Sequence, residues 1–345
     1  VHPAAVSGAV AFAAAVVVTP LAARAARRLG LLDAPDERKC HGRPVPLLGG
    51  VGILAGVLAG FAAGGVADEY AAILAAGGCV FLVGLADDVA GAPPWLRLLV
   101  ETLAASAVVA LGTRATFLVG LPWITIPVTV LWIVGMTNSF NFLDNMDGLS
   151  GGVAAISAGM FLLVCLETGQ PLAAAALAAV AGAALGFLPY NTSPARVFMG
   201  DAGALLLGFL LGTLSVAMTF YEYRGTLLPL ASPLLVLAIP LFDTATVLWL
   251  RLREGRPIAR ADRSHFSHRL VALGMSERTA VVTIWLASAA IGLGATLLKD
   301  LAWPGGAVLL AQAAGVFAIV ILMERAGRRG SPPGGVRREK PGQKQ

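Results

Sequence analysis

The chain has 345 residues and a net charge of +5; 57% of its positions are hydrophobic and only 13% are charged, against about 25% charged in an ordinary soluble domain. That balance excludes a freely soluble enzyme, gives no support to a nucleic-acid-binding module, and points to an integral membrane protein. The positive charge then reads first as a topology signal and second as attraction to anionic headgroups or substrates.

Near-continuous apolar runs of roughly 17 to 25 residues, each able to cross ~30 Å of hydrocarbon, predict an all-α polytopic bundle of about eleven transmembrane helices. Their approximate limits are 4–23, 48–67, 70–86, 96–113, 128–143, 149–167, 171–189, 202–220, 228–250, 278–298 and 305–323. Between the fourth and fifth runs, RATFLVGLPWITIPV carries Thr, Ile, Val and aromatic residues around Gly-Leu-Pro. It predicts a short outer β-hairpin, with an ordinary loop as the alternative. Ala-rich and Gly-rich stretches imply close helix packing through small residues. The membrane domain covers 1–325. Residues 326–345, rich in Pro, Gly and basic residues, form a tail expected to be disordered at the inner surface.

With the N-terminus outside and the C-terminus inside, every one of the 25 basic residues except Arg114, Arg224 and Lys299 falls on the inner side, as the positive-inside rule requires. Basic residues follow the first span and none precede it, so no cleaved signal peptide is expected. Cys40, Cys79 and Cys165 lack metal-ligand spacing and are expected to be free thiols.

Four polar clusters interrupt the apolar background, and in this topology all lie on the inner face. Asp87 and Asp88 end the third span. NSFNFLDNMDGLSGG, 138–152, ends the fifth. PYNTSPARVFMGDAG, 189–203, joins the seventh and eighth, and DRSHFSHRL, 262–270, precedes the tenth. Acids at the membrane surface are functional suspects. Each cluster also has a plainer reading as a cap, a turn or solvated charge. An acid at a helix C-terminus is unfavourable to the macrodipole, however. Asn138, Asn141, Asp144 and Asp147, three apart, advance ~300° per step and form a drifting stripe that can face one cavity. Asp201 stands at the start of the eighth span, where helix amides favour negative groups; an N-cap is the alternative. His265 and His268 lack a third nitrogen or sulfur ligand for zinc; with Arg263 and Arg269 they suit phosphate oxygens. Several carboxylates without a Cys/His set suit Mg²⁺, which takes one or two carboxylates and completes its shell with phosphate and water. An inner-face site for a metal and a phosphorylated substrate follows.

Five ordered motifs, DAPDERKCHGRPVPLLGG, GLADD, NSFNFLDNMDGL, PYNTSPARVFMGD and DRSHFSHRL, run from about residue 31 to residue 273. Together they resemble the polyprenyl-phosphate N-acetylhexosamine-1-phosphate transferase family, which transfers a sugar 1-phosphate from a UDP-sugar to a membrane polyprenyl phosphate and releases UMP. The resemblance implies that Asp201 ligates Mg²⁺, with Mn²⁺ as a substitute and Asp88 as a second metal-side acid. It sets Asp87 and Asp88 beside the lipid phosphate. Asn141, Asp144 and Asp147 match the N-x-x-D-x-x-D-G core, with Asn141 and Asp144 near the nucleotide. Asn191 and Phe198 match uridine contacts, and His265, His268, Arg263 and Arg269 would face the sugar or diphosphate. Lys39, His41 and Arg97 would help to hold phosphates. Related transferases are often dimeric, so a homodimer is allowed. The family reading places the enzyme in the cell membrane with its site on the cytoplasmic face.

The histidine segment reads His265-Phe266-Ser267-His268, whereas the GlcNAc branch commonly has H-I-H-H and the MurNAc-pentapeptide branch three adjacent histidines. The latter branch also has a Lys soon after its Asp pair, where this chain has Val89-Ala90-Gly91. With the span count, these points favour UDP-GlcNAc as donor over UDP-MurNAc-pentapeptide. Asp243, well inside the ninth span, is expected to face the polar cavity or pair with a basic group. A transporter is the rival from another class, but its site belongs near the midplane between repeats, and here the acids crowd one face.

Overall fold

A computed structural model describes residues 2–33, 44–113, 121–218, 228–257, 264–298 and 300–330. The chain order is α1 (Pro3–Leu29), β1 (Leu32–Asp33), β2 (Val45–Pro46), α2 (Gly49–Ala63), α3 (Ala71–Ala90), α4 (Pro94–Ala110), α5 (Pro122–Leu143), α6 (Leu149–Glu167), α7 (Pro171–Asn191), α8 (Gly200–Ala217), a 3-10 turn (Leu228–Ala231), α9 (Ser232–Val236), α10 (Ala238–Arg253), α11 (Phe266–Ala272), α12 (Glu277–Leu297) and α13 (Trp303–Gly330). It is an all-α polytopic membrane protein. Among the described residues, eight helices are long and apolar enough to cross a bilayer: α1, α3, α5, α6, α7, α8, α12 and α13. The other three predicted segments fall on shorter helices.

Backbone chemistry explains the short ones. α2 stops at Gly64, and Gly65 follows with φ 68°, a conformation that glycine adopts without a Cβ penalty. Its 15 residues span about 22 Å at 1.5 Å each. The ninth segment is broken at Leu237, where the Leu237 amide closes on the Pro233 carbonyl at 3.0 Å and α10 restarts. Pro240 sits in the first turn of α10, where its missing N–H has no helical partner to lose.

The outer β-hairpin expected over 114–128 is corrected from residue 122 onward: Pro122 opens α5 at its first turn and Pro127 lies within it. Proline's fixed φ suits a helix start, and in lipid the helix satisfies every backbone group internally. Residues 114–120 lie outside the described residues, as does the tail beyond Gly330. The observed strand pair is β1 with β2, antiparallel, Leu32 opposite Pro46 and Asp33 opposite Val45.

The core runs through α7 and α8. Along α7, Gly182 and Gly186 leave no room for a Cβ, which would meet the Gly8 carbonyl at 2.2 Å and the Phe12 carbonyl at 2.5 Å. Small residues thus bring α1, α2 and α7 to backbone contact. Trp95, Trp123, Trp249 and Trp303, each near the start or end of its helix, are exposed, as amphipathic rings at a membrane interface are. Among the described cysteines, Cys79 and Cys165 are free; Cys40 lies outside the described residues.

Candidate active site

Helix alternation gathers the polar clusters at one end of the bundle, and the first assembly is acidic. α3 ends on Asp87 and Asp88, α4 begins just beyond with Arg97, and α8 starts with Gly200 and Asp201. The Arg97 guanidinium bridges Asp87, at 2.6 Å, and Asp201. Asp87 also accepts from the Ala92 amide at 2.7 Å. Asp88 accepts from the Asp201 amide at 2.8 Å and the Ala202 amide at 3.1 Å. These are the free N–H groups at the α8 N-terminus, so the anion that they favour is Asp88 itself. Gly200 is required here: its φ is 68°, and a Cβ would stand 2.3 Å from the Asp88 carboxylate.

The Asn/Asp stretch is only partly a helical stripe. Asn138 and Asn141 lie in the last turns of α5; the chain leaves the helix after Leu143, and Gly148, with φ 76°, starts α6. Asn141 donates to Asp201 at 2.8 Å. Asn138 donates to Glu101 and to the Val134 carbonyl, which ties it to α4. Asp144 stands just past α5 among Asp201, Asp88 and Asp147; burial first, then those three charges, push its carboxyl well above the ordinary range. Asp147 accepts from the Ala195 amide at 2.8 Å. Asn191 is 2% exposed and holds two loops together, accepting from the Gly148 amide and donating to the Val197 carbonyl, both at 3.0 Å. The main chain of Phe198 is fixed on both sides, donating to the Pro46 carbonyl and accepting from the Gly49 amide.

The histidine segment closes the other side. Asp243 is fully buried in α10, accepts from the Phe266 amide at 2.6 Å and lies 2.8 Å from His265 Nδ1. The intramembrane acid thus has its basic partner. His268 lies beside His265, ring centres 6.4 Å apart, and Ser267 donates to Asn145, joining the segment to the stretch after α5. Arg269 turns toward α10, over the Phe242 ring and within 3.1 Å of the Thr246 hydroxyl. Lys39, His41 and Arg263 lie outside the described residues.

Two residues join the site without having been singled out in the sequence. Glu101, fully buried in α4, holds Asn138; an acid inside an apolar run was its signal. Arg251, 2% exposed at the end of α10, places its guanidinium 5.6 Å from the Phe142 ring centre. Only its burial distinguishes it from the other arginines nearby.

Among the described residues no three His, Cys, Asp or Glu side chains converge as a metal cage. Asp201 and nearby Asp144 nonetheless offer hard oxygens, and Asn141, whose amide nitrogen now donates to Asp201, could offer its oxygen by turning. Such a set fits a cation that completes its shell from water and phosphate.

The Glycosyl transferase family 4 model matches residues 70–219, which hold the acidic assembly and both loops around it. The probable undecaprenyl-phosphate N-acetylglucosaminyl 1-phosphate transferase of Bacillus subtilis is 34% identical over 82% of this chain and 82% of its own length. The chain belongs to the polyprenyl-phosphate N-acetylhexosamine-1-phosphate transferase family. It is a phosphoglycosyltransferase. The decaprenyl-phosphate N-acetylglucosaminephosphotransferase of Mycolicibacterium smegmatis is 32% identical to this transferase over 88% of the chain and 84% of the relative. The undecaprenyl-phosphate alpha-N-acetylglucosaminyl 1-phosphate transferase of Escherichia coli K12 is 29% identical over 78% and 76%.

Proposed function

We propose that this enzyme transfers GlcNAc 1-phosphate from UDP-GlcNAc to a polyprenyl phosphate with release of UMP, on the cytoplasmic face of the cell membrane. The reaction would begin a lipid-linked envelope glycan. The observation that carries this reading is the Asp87–Arg97–Asp201–Asn141 network, assembled at a bundle end where a lipid-bound acceptor can meet a soluble donor. The N-out, C-in orientation rests on the basic residues gathered at the same end.

Asp201, with Asn141 and Asp144 beside it, would hold Mg²⁺, which when bound offsets phosphate repulsion and stabilises charge on the departing nucleotide. Arg97, held by Asp87, would receive the acceptor phosphate. His265, oriented by Asp243, and His268 are placed to donate toward the diphosphate or sugar. Phe198 offers a face for the uracil base.

Both carboxylates of the Asp pair already hold hydrogen bonds, Asp87 with Arg97 and Ala92, Asp88 with the start of α8. This favours direct in-line attack by the lipid phosphate over a covalent aspartyl route. Isolation of a sugar-phosphoryl enzyme formed without lipid would reverse that preference.

The decisive assay is UMP release by purified protein with undecaprenyl phosphate and Mg²⁺, given UDP-GlcNAc, UDP-GalNAc or UDP-MurNAc-pentapeptide in parallel. Release with UDP-GlcNAc, dependent on lipid and metal and lost in Asp201→Asn, is expected. Release with another donor alone would reassign the sugar, and lipid-independent solute movement in proteoliposomes without UMP would favour a transporter.

A further inference from the structure

Glu101 stands four residues after Arg97 on α4, one turn along the same face. It is fully buried inside an apolar helix, where an unpaired carboxylate is costly and a leucine would pack without desolvation. Asn138 satisfies one carboxylate oxygen. The other, Oε1, has no partner among the described residues, and Arg97 Nε has none either. Two opposite charges in adjacent turns therefore each retain an unused hydrogen-bonding atom. Asp201, Asp87 and Glu101 are the carboxylates whose charge acts on Arg97.

A cation bound at Asp201 would repel the Arg97 charge that now rests on the same carboxylate. Both oxygens of Asp201 are engaged, one by Arg97 and one by Asn141. Asn141 can turn its amide and offer oxygen in place of nitrogen. Arg97 has no such alternative, because it carries only donors and a positive charge. Asp87 and Asp201 both accept from the same nitrogen, Nη1, so Asp87 alone would then hold the guanidinium, and Nε still needs an acceptor.

We propose that Glu101 is the positioning residue for Arg97: its free Oε1 takes the guanidinium Nε once Asp201 turns to a cation, and so keeps Arg97 aimed at the acceptor phosphate. Asn138 serves the same end by fixing the second Glu101 oxygen. This inference rests on the proposed binding of a cation at Asp201.

The test uses the full chain in detergent, with Mg²⁺ alone as the first probe and thermal stabilisation as the readout. Glu101→Gln keeps the shape and the bond from Asn138 but removes the charge. It raises the Mg²⁺ midpoint about tenfold, the effect of one charged hydrogen bond. It also raises the acceptor KM by a similar factor and leaves the donor KM unchanged. Glu101→Asp gives an intermediate midpoint, and neither substitution moves the midpoint in an Arg97→Gln background.

A folded Glu101→Gln protein with the wild-type midpoint and acceptor KM overturns the inference, as does an equal effect with and without Arg97. Should Glu101→Gln fail to fold, Glu101→Asp in the two backgrounds carries the same comparison. Wild-type protein that Mg²⁺ does not stabilise at all would overturn the proposed metal site and this inference together. A wild-type shift that Glu101→Gln leaves intact overturns the inference alone.

Discussion

Replacing Asp88 separates its structural work from any part in the reaction. Its two oxygens accept from the Asp201 and Ala202 amides at 2.8 and 3.1 Å. A charged acceptor is worth about 1.5–3 kcal/mol per bond, and losing a helix cap costs about 0.5–2 kcal/mol. The two bonds share one carboxylate and do not add fully. Asp88→Ala should therefore destabilise the protein by about 2–4 kcal/mol. Asp88→Asn keeps one acceptor but turns an NH₂ group toward the second amide, so it should fall between alanine and wild type. Reversible unfolding in mixed micelles measures the global change. Hydrogen exchange at the Asp201 and Ala202 amides measures the local one, expected to quicken roughly 30-fold to 1,000-fold in the alanine variant. Wild-type stability and protected amides in both variants would refute the reasoning and return Asp88 to the open site. Lost UMP release with unchanged stability would mean that its carboxylate acts on substrate or metal.

Gly152 faces Trp285 so closely that a Cβ would lie 2.1 Å from the indole. Gly152→Ala should cost about 1–3 kcal/mol by overpacking, and Trp285→Ala in the same protein should recover part of that loss in the same unfolding titration. Asp144 is raised above its unfolded pKa, so its contribution is complete below the unfolded value and is lost as pH rises through the folded one. In metal-free buffer, wild type should lose stability relative to Asp144→Asn as pH rises above the ordinary carboxylate range; a difference that stays constant as pH rises would contradict the raised value. Asp243→Asn preserves size but withdraws the charge from His265, and UMP release should fall about tenfold or more. Full activity with full stability would remove Asp243 from the site.

The gathering of the polar clusters was legible because its signal is compositional: acids, amides and histidines stand out against apolar helices, and helix alternation brings them to one end. Orientation within the site was not legible. Asp88 and Asp147 accept from main-chain amides that are distant in sequence, and no side-chain pattern announces such a bond. The regular spacing from Asn138 to Asp147 suggested one continuous stripe, but α5 ends after Leu143, so the last two acids occupy a turn. The hairpin expectation failed because β-branched residues and Pro reflect strand preference only where water or a sheet partner can satisfy the backbone. In lipid, Pro122 starts a helix instead. Glu101 was readable and was passed over, since one acid near the end of a span resembles a boundary residue.

The two sides of the site are fastened differently. The segment carrying Phe198 and Asp201 is held to β2 and α2 by main-chain bonds at Phe198 and Met199, and such bonds survive most changes of side chain, whereas its tie to α3 runs through the Asp88 carboxylate. Among the described residues, the histidine segment instead reaches its neighbours through the Asp243 and Asn145 side chains. Point mutations can therefore reshape it piecemeal while the main-chain anchors at Phe198 and Met199 stay intact. That asymmetry makes the histidine segment the more readily remodelled side of this bundle end, and the first place where residues from a relative could be grafted without disturbing the anchors at Phe198 and Met199.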